Sequence, residues 1–373
     1  MAQAGPLKVG VVGCGMICPS YLDQTRPFSQ MRIVSLADRD MARAESLAAS
    51  HGVPNACTVA ELMADRSIDI VLNLTTPQSH AAVTVQALRT GKHVYSEKPL
   101  AATVAEARQI RAVARKKGLR VGCAPDTFMG CHTQTARKLI DDGAIGQPTS
   151  AIGSIQLGPP EGWHNDPESF YAQGGGPMFD VGSYILTVLV ALLGPVHRVA
   201  GATRVSSPKR TVLRGPRSGT VFGVSTPTHV AGVAVFRNGA VATLATSFDV
   251  YGHHGYSLTI HGTEGSLTIP DPSEYGETGR GPLCLFRRER GAWEPVSCTH
   301  GYRSKTHGLG LADMAQAILS GRAHRANDRM AFHVLEVMQA FMDSSRQGRH
   351  IGIRSSCDRP AAMPQGLRDG ELD

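Results

Sequence analysis

Short apolar runs alternate with amphipathic stretches along residues 1–124. Five runs have the length and composition of strands, in the order LKVGVV, RIVSLA, IDIVLNL, KHVYS and LRVGCA. Two of the intervening helices begin with a capping-box pattern, Thr58 with Glu61 and Thr103 with Glu106. Apolar strands that alternate with helices predict a parallel, doubly wound α/β sheet, as in a Rossmann domain.

Strand patterns rich in Gly and Pro dominate after residue 124. HVAGVAVFRNGAVATLATSFDV predicts a hairpin that turns at Asn238–Gly239, and YSLTIHGTEGSLTI predicts a second strand pair. The pattern predicts helices over residues 177–193, 309–319 and 330–345. Together these elements predict an α+β domain over residues 125–354, with an open, mostly antiparallel sheet. Residues 355–373 are polar and irregular, so we expect a loosely held tail.

Composition narrows the classes of protein and of partner. The formal net charge is +7, and the basic residues are spread along the chain. This distribution predicts no nucleic-acid partner and suits an anionic cofactor. No apolar run reaches the ~20 residues that span a bilayer, and the first residues lack a signal-peptide pattern. We therefore expect a cytoplasmic protein without a membrane partner.

The chain contains eight cysteines, but no two of them form a Cys-x-x-Cys pair. A disulfide framework is typical of small secreted domains and is not expected in a chain of this length. The adjacent residues His253 and His254 would point apart on a strand and could not easily share a metal ion. The sequence therefore predicts no metal site.

The stretch GVVGCGMIC follows the first predicted strand and opens a helix. Gly13 and Gly15 match the first two glycines of the dinucleotide fingerprint, where a tight turn brings the pyrophosphate close to a helix N-terminus. The third position is Cys18 instead of Gly or Ala, so the motif alone is weak. We expect Met16 and Ile17 to contact the cofactor as well.

Asp38 ends the second predicted strand, 23 residues after Gly15. A carboxylate at this place accepts hydrogen bonds from the adenosine ribose and repels a 2′-phosphate, which predicts NAD. The neighbouring Arg39 could stack on the adenine or pair with a 2′-phosphate, so NADP remains an alternative.

The stretch TTPQSHAAVTVQALRTGKHVYSEKPLA and the later GGGPMFDVGSY resemble the Gfo/Idh/MocA family, which is named after glucose–fructose oxidoreductase, inositol dehydrogenase and rhizopine catabolism. The resemblance extends from Val9 to about Gly352. It implies an N-terminal Rossmann domain, an open antiparallel sheet in the second domain, and NAD(P)-dependent oxidation or reduction of a secondary alcohol on a sugar, glycoside or cyclitol. The residues that it places at the cofactor are Thr75, Thr76, Pro77, His80, Glu97 and Lys98.

By the same resemblance, Lys98 is the catalytic lysine and Asp180 is a carboxylate near the substrate. Many members have His four residues after this Asp, but this chain has Tyr184, as in the glucose–fructose oxidoreductase and dihydrodiol dehydrogenase branches. Residues i and i+4 share a helix face, so both side chains can reach one pocket. We expect Lys98 and Tyr184 to share the proton, with the ammonium lowering the pKa of the phenol.

Further polar and aromatic residues are candidates for contact with the substrate. Trp163 and His164 precede the glycines of GGGPMFD, and Asp126 follows the last Rossmann strand. His307 and Asp313, near the start of a later helix, remain possible pocket residues.

Two other functions remain open from the sequence, a non-catalytic sugar or dinucleotide sensor and a reductase of a biliverdin-like or imine substrate. The strands VAVF and VATLAT carry apolar residues on both faces. An apolar outer face needs a cover, and the family pairs through this sheet. We therefore expect a homo-oligomer, a dimer or a tetramer.

Overall fold

The structure, a computed structural model, describes residues 5–252, 255–271, 281–303 and 306–373, so His253 and His254 lie outside the described residues. The first domain is a parallel sheet with strand order β3-β2-β1-β4-β5-β6. Its strands are β1 (Leu7–Val12), β2 (Met31–Ala37), β3 (Asn55–Cys57), β4 (Ile70–Asn73), β5 (His93–Ser96) and β6 (Val121–Cys123). Its helices are α1 (Cys18–Gln24), α2 (Met41–His51), α3 (Val59–Ala64), α4 (Pro77–Arg89) and α5 (Val104–Lys117). The predicted doubly wound fold is confirmed.

Both predicted capping boxes are present in this domain. The Thr58 and Thr103 hydroxyls accept from the backbone amides of Glu61 and Glu106, and each glutamate accepts in return from the threonine amide. The pattern missed β3, because a strand of three residues that pairs only with β2 is too short for an apolar run.

The second domain is built on a nine-stranded sheet with the order β16-β15-β14-β13-β7-β12-β11-β8-β17. Its strands are β7 (Pro148–Gln156), β8 (Val196–Arg204), β11 (His229–Phe236), β12 (Val241–Ser247), β13 (Gly255–Gly262), β14 (Gly265–Thr268), β15 (Cys284–Arg287), β16 (Ala292–Pro295) and β17 (Ile351–Gly352), while β9 (Lys209–Thr211) and β10 (Val221–Gly223) form a separate pair. Only β7 and β12 pair in parallel among these strands. The mostly antiparallel sheet and the turn at Asn238–Gly239 are confirmed.

The second domain also contains helices, some of which pack on one face of the nine-stranded sheet. They are α6 (Cys131–Asp141), α7 (Glu168–Tyr171), α8 (Pro177–Asp180), α9 (Gly182–Leu193), α10 (Leu309–Ser320) and α11 (Asp328–Gln347). Glycines let α9 and α11 pack closely, since a Cβ on Gly153 would lie 3.1 Å from Ile185 and one on Gly232 would lie 2.9 Å from Phe341. None of the helices in the described parts of the chain combines the length and apolar character that crossing a bilayer requires.

The prediction of one helix over residues 177–193 is wrong at Val181, where the chain divides into α8 and α9. The amide of Tyr184 donates to the carbonyl of Val181, three residues back, instead of to Asp180. The Asp180 carbonyl is therefore released from the helix ladder and accepts from Lys98 and from the Ser183 hydroxyl.

The tail over residues 355–373 is packed, which corrects the expectation that it is loosely held. The side chains of Cys357 and Met363 are buried. The Met363 amide donates to Gln134 on α6, and the Asp373 carboxylate pairs with Arg325 at 2.7 Å. A polar composition predicts that such a segment lacks helices and strands. It does not predict whether the segment is anchored, because the anchoring contacts are made with residues that are distant in the sequence.

Candidate active site

A cleft of about 790 Å³ opens at the carboxyl ends of β1, β2, β4 and β5, the end at which parallel α/β sheets bind their ligands. The second domain supplies the opposite wall, from residues 163–175 and from the start of α9. The residues predicted for the cofactor and substrate line this cleft, except His80, Asp126 and the two possible pocket residues His307 and Asp313.

The loop between β1 and α1 has the backbone that its glycines require. Gly13 has a φ of 104°, and a Cβ there would lie 2.7 Å from the carbonyl of Leu74. A Cβ on Gly15 would meet no atom within 4 Å, so this glycine faces the open cleft. Cys18 is fully buried at the start of α1. The third fingerprint position is thus a packing position, at which a small thiol replaces glycine.

Asp38 lies directly after β2, at one end of the cleft. One carboxylate oxygen accepts from the amide of Cys14 at 2.7 Å, and the other accepts from the amide of Asp40 at 3.0 Å. A carboxylate offers about four acceptor positions, so both oxygens can still bind ribose hydroxyls. Arg39 and Arg43 line the same end. An acidic acceptor beside an open glycine loop fits a dinucleotide.

Asn73, which sequence analysis missed, holds the loop after β4. Its amide oxygen accepts from the Thr75 amide and from the Thr75 hydroxyl, the latter at 2.7 Å. Its amide nitrogen donates to the His80 carbonyl and to the Thr84 hydroxyl. The signal in the sequence is a polar residue at the end of the apolar run IVLN, since a buried amide must find partners.

His80 is fully buried and does not line the cleft, which corrects its predicted contact with the cofactor. Its ring nitrogens lie 2.6 Å from the Pro99 carbonyl and 2.9 Å from the Thr75 carbonyl. Burial lowers the pKa of His80, although both carbonyls favour the protonated ring. The imidazole connects the loop after β4 with the Glu-Lys-Pro turn, so it is a positioning residue.

Glu97 is held at the end of β5 by two donors. The hydroxyl of Tyr21 donates to one carboxylate oxygen at 2.8 Å, and the amide of Lys98 donates to the other at 2.9 Å. Tyr21 is fully buried on α1. The hydrogen bond between Tyr21 and Glu97 therefore joins α1 to the turn that carries Lys98.

Lys98 and Asp180 form an ion pair between the two domains. The Lys98 Nζ lies 2.5 Å from the Asp180 Oδ1 and 2.9 Å from the Asp180 carbonyl oxygen. The side chains are only 15% and 19% exposed. The Lys98 Nζ also lies 5.2 Å from the centre of the Tyr184 ring. The three predicted catalytic residues are thus brought together across 82 residues of chain.

Burial and charge decide which of these groups carry protons. Burial alone would lower the pKa of Lys98, but the charges of Asp180 and Glu97 and the nearby Tyr184 outweigh it and raise this pKa above its usual value. Burial also raises the pKa of the Tyr184 phenol, and the Lys98 ammonium offsets this only in part. The expected lowering of the Tyr184 pKa is therefore wrong. At neutral pH the site holds an ammonium and a neutral phenol.

An aromatic cluster forms the wall opposite the dinucleotide loop. The ring of Phe170 lies 5.3 Å from Trp163 and 5.0 Å from His164 in edge-to-face arrangements. The amide of Asp166 donates to the His164 Nδ1, which holds the imidazole in place. Sequence analysis missed Phe170 and Asp166, which line the cleft beside the predicted pair.

Asp126 lies outside the cleft, and this corrects its predicted contact with the substrate. It is 2% exposed, and its Oδ2 accepts from the Gly308 and Gly310 amides and from the Tyr95 hydroxyl. Burial raises the pKa of Asp126 to about 6. The carboxylate joins the start of α10 to the Rossmann domain.

His307 and Asp313 also lie outside the cleft. The His307 amide donates to Gln24 on α1. Asp313 is fully buried and pairs with Arg325 at 2.6 Å and with Arg322 at 2.7 Å. Both residues connect α10 to its neighbours instead of contacting a ligand.

The Rossmann sheet, the glycine loop with Asp38 and the buried Lys98–Asp180 pair define a dinucleotide-dependent oxidoreductase. Two family models match the chain, "Oxidoreductase family, NAD-binding Rossmann fold" over residues 7–124 and "GFO/IDH/MocA C-terminal domain" over residues 133–268. The chain belongs to the Gfo/Idh/MocA family, and it is an NAD(P)-dependent oxidoreductase that acts on a secondary hydroxyl or its ketone.

The curated relatives include several reductases. The chain is 30% identical over 293 residues to dTDP-3,4-didehydro-2,6-dideoxy-alpha-D-glucose 3-reductase of Streptomyces antibioticus, covering 76% of this chain and 81% of that protein. It is 28% identical over 264 residues to 1,5-anhydro-D-fructose reductase of Ensifer adhaerens, covering 69% and 74%. Levoglucosan dehydrogenase in complex with NADH and L-sorbose has the same fold, with a TM-score of 0.80 at 22% identity over 94% of this chain and 99% of that chain.

Proposed function

We propose that this enzyme uses NADH to reduce a ketone on a sugar, glycoside or cyclitol, and that it oxidises the corresponding secondary alcohol in the reverse direction. The observation that carries the proposal is the cluster of Lys98, Asp180 and Tyr184, in which both proton carriers are protonated at neutral pH. Ketone reduction needs a proton donor beside the carbonyl, and this site holds two. The reductases among the curated relatives support the same direction.

Bound NADH would supply the hydride, and the protein would bind the ketone and manage its charge. Two of the three Lys98 N–H groups donate to Asp180, so one remains to donate to the substrate oxygen. A buried ammonium at this place stabilises the negative charge that develops on the oxygen. Asp180 acts on Lys98, which it keeps charged and oriented.

Tyr184 would give its hydroxyl proton to the new alkoxide, while the ammonium near its ring stabilises the phenolate that forms. Oxidation needs the phenol deprotonated at the start. Because the Tyr184 pKa is raised, oxidation should become efficient only at alkaline pH.

Trp163, His164 and Phe170 would form the surface on which the sugar ring lies. The indole of Trp163 is 47% exposed, although it is part of an aromatic cluster. Apolar ring faces of sugars pack on such aromatic surfaces, and the imidazole can bond a hydroxyl. This wall suits a hydroxylated ring better than an extended chain.

NAD would be preferred to NADP because Asp38 stands where a 2′-phosphate would lie. Arg39 and Arg43 line the same end of the cleft, so the preference is a balance of charges that depends on the Asp38 carboxylate. The eight free cysteines suit a reducing compartment such as the cytoplasm, and the cytoplasmic location stays a prediction.

The outer face of the nine-stranded sheet would join copies of the chain in a dimer or tetramer. Helices α9 and α11 cover the other face. On the outer face Ile152 is 57% exposed and Val241 is 40% exposed. A second copy that places its own sheet there would bury both side chains.

A panel of keto sugars, anhydroketoses and keto cyclitols with NADH at neutral pH tests the proposed function, with the loss of NADH absorbance as the readout. We expect turnover of at least one ring ketone by the wild-type enzyme and much slower turnover by Lys98→Met. Tight NADH binding without turnover of any ketone would instead support a sensor. Imines should be tested beside the ketones. If only the imines were turned over, the protein would instead be a reductase of a biliverdin-like or imine substrate.

A further inference from the structure

Three side chains with metal-binding atoms meet at the start of α6, outside the cofactor cleft. Cys131 is the first residue of α6, His132 is the second, and Cys298 lies beyond β16. The two sulfurs are 3.1 Å apart, and the three ligand atoms all lie within 4.8 Å of one another. Cys131 is buried, and the other two side chains are half-buried.

Backbone contacts hold these side chains together. The Cys131 amide donates to the Tyr302 carbonyl at 3.2 Å, and the Thr299 amide donates to the Thr135 hydroxyl at 3.1 Å. Segment 298–303 is therefore tied to the first turns of α6 at more than one point. These two hydrogen bonds fix the position of Cys298 relative to Cys131 and His132.

We propose that Cys131, His132 and Cys298 form a binding site for a thiophilic divalent cation of the zinc class. Two thiolates and a neutral imidazole balance the charge of such a cation and are its usual ligands. With Zn–S bonds of about 2.3 Å, tetrahedral geometry separates two sulfurs by about 3.8 Å. The sulfurs need to open by about 0.7 Å from their 3.1 Å separation, within the reach of χ rotation at the half-buried Cys298.

The position of His132 favours a metal ion over a simple thiol pair. A disulfide between Cys131 and Cys298 would involve the two sulfurs alone, whereas a metal ion would also bind the imidazole. A ring nitrogen of His132 lies within 4.8 Å of both sulfurs, so all three groups point to one place. The chain thus offers three ligands and one coordination position that water can fill.

The consequence is structural, because the site clamps α6 to segment 298–303. The chain continues from this segment to Gly308 and Gly310, whose amides bind Asp126. Metal binding should therefore stabilise the contact between α10 and the Rossmann domain. Since the folded site binds the ion and the unfolded chain does not hold the geometry, saturating metal should raise the melting temperature.

Metal binding to the purified full-length protein, kept reduced and stripped with a chelator, tests the proposal. We expect one equivalent of Zn²⁺ or Co²⁺ per chain, a sulfur-to-cobalt charge-transfer band, and a higher melting temperature with metal. Cys298→Ser and His132→Ala should each weaken binding at least about tenfold. Cys284→Ser is the matched control, because Cys284 is also half-buried but lies outside the cluster; it should bind as the wild type does.

His132→Ala keeps both thiols, so it separates metal binding from loss of the fold, which circular dichroism monitors. Wild-type binding no tighter than that of Cys298→Ser would overturn the proposal. A second result would also overturn the proposal. It combines a disulfide between Cys131 and Cys298, seen by mass spectrometry as the loss of two hydrogens before reduction, with metal binding by reduced His132→Ala that equals that of the wild type.

Discussion

Replacing Asp180 by Asn removes the charge opposite Lys98 while the shape and the acceptor oxygen remain. The Lys98 Nζ lies 2.5 Å from the carboxylate, and both side chains are mostly buried. Loss of one partner from a buried pair costs about 3–5 kcal/mol, and the residual exposure reduces this to about 2–4 kcal/mol. The free energy of unfolding at pH 7 should fall by that amount.

The substitution should also change how stability depends on pH. In the wild type the raised Lys98 pKa means that the pair stabilises fully below the ordinary lysine pKa, and this contribution is lost only as the pH rises through the raised value. In Asp180→Asn, burial becomes the dominant influence and should lower the Lys98 pKa. The unfolded chain then binds more protons, so the stability of the variant should rise with pH between the lowered and the ordinary lysine pKa.

Catalysis by Asp180→Asn should acquire a new pH dependence. Ketone reduction should lose about 10²–10³ in kcat, because Lys98 no longer holds a permanent charge against the substrate oxygen. Reduction should also decline as the pH rises through the lowered Lys98 pKa, whereas this limb is absent from the wild type near neutrality. Stopped-flow reduction across the pH range measures both effects, together with denaturant unfolding at each pH.

Lys98→Met is the matched control for the new limb, because it has no ammonium to titrate. Its rate of ketone reduction should be low at every pH and should show no decline caused by deprotonation of residue 98. If Asp180→Asn unfolds with the stability of the wild type and its pH–rate profile superimposes on that of the wild type, the carboxylate does not control the charge of Lys98 and the proposed mechanism is wrong.

Three further substitutions test other parts of the molecule. Tyr184→Phe keeps the ring and should lower kcat for reduction by about 10²–10⁴ with little change in the NADH dissociation constant; unchanged kcat would make Tyr184 a packing residue. Asp38→Ala should weaken NADH more than NADPH by calorimetry, and a wild-type preference for NADPH would refute the role of this carboxylate. Ile152→Lys on the outer sheet face should shift light-scattering mass toward the monomer, and a wild type that is already monomeric at micromolar concentration would exclude the proposed oligomer.

Much of the dinucleotide half could be predicted because its signals are local. A glycine with positive φ, a carboxylate at a strand end and a capping box each depend on a few adjacent residues. Gly13, Asp38 and Thr103 accordingly lie where the pattern placed them. The hairpin at Asn238–Gly239 is local in the same sense.

Other expectations failed because they concerned polar residues whose partners are far away in the chain. Asp126 looks like a ligand at the end of a strand, but its oxygen is used by amides more than 180 residues away. His80 lies in a cofactor motif, yet two carbonyls occupy its ring. A sequence shows that a buried polar group must find partners and does not show which ones.

The sequence by itself determined the fold class, the cofactor loop and the residue types that meet in the site, because periodicity and turn chemistry act over short distances. Only the tertiary structure decided that the helix breaks at Val181, that the freed Asp180 carbonyl meets Lys98, and that burial keeps the Tyr184 phenol protonated. It also decided that Cys131 and Cys298 meet across 167 residues. Distances, burial and electrostatic balance are properties of the packed chain, and no local pattern specifies them.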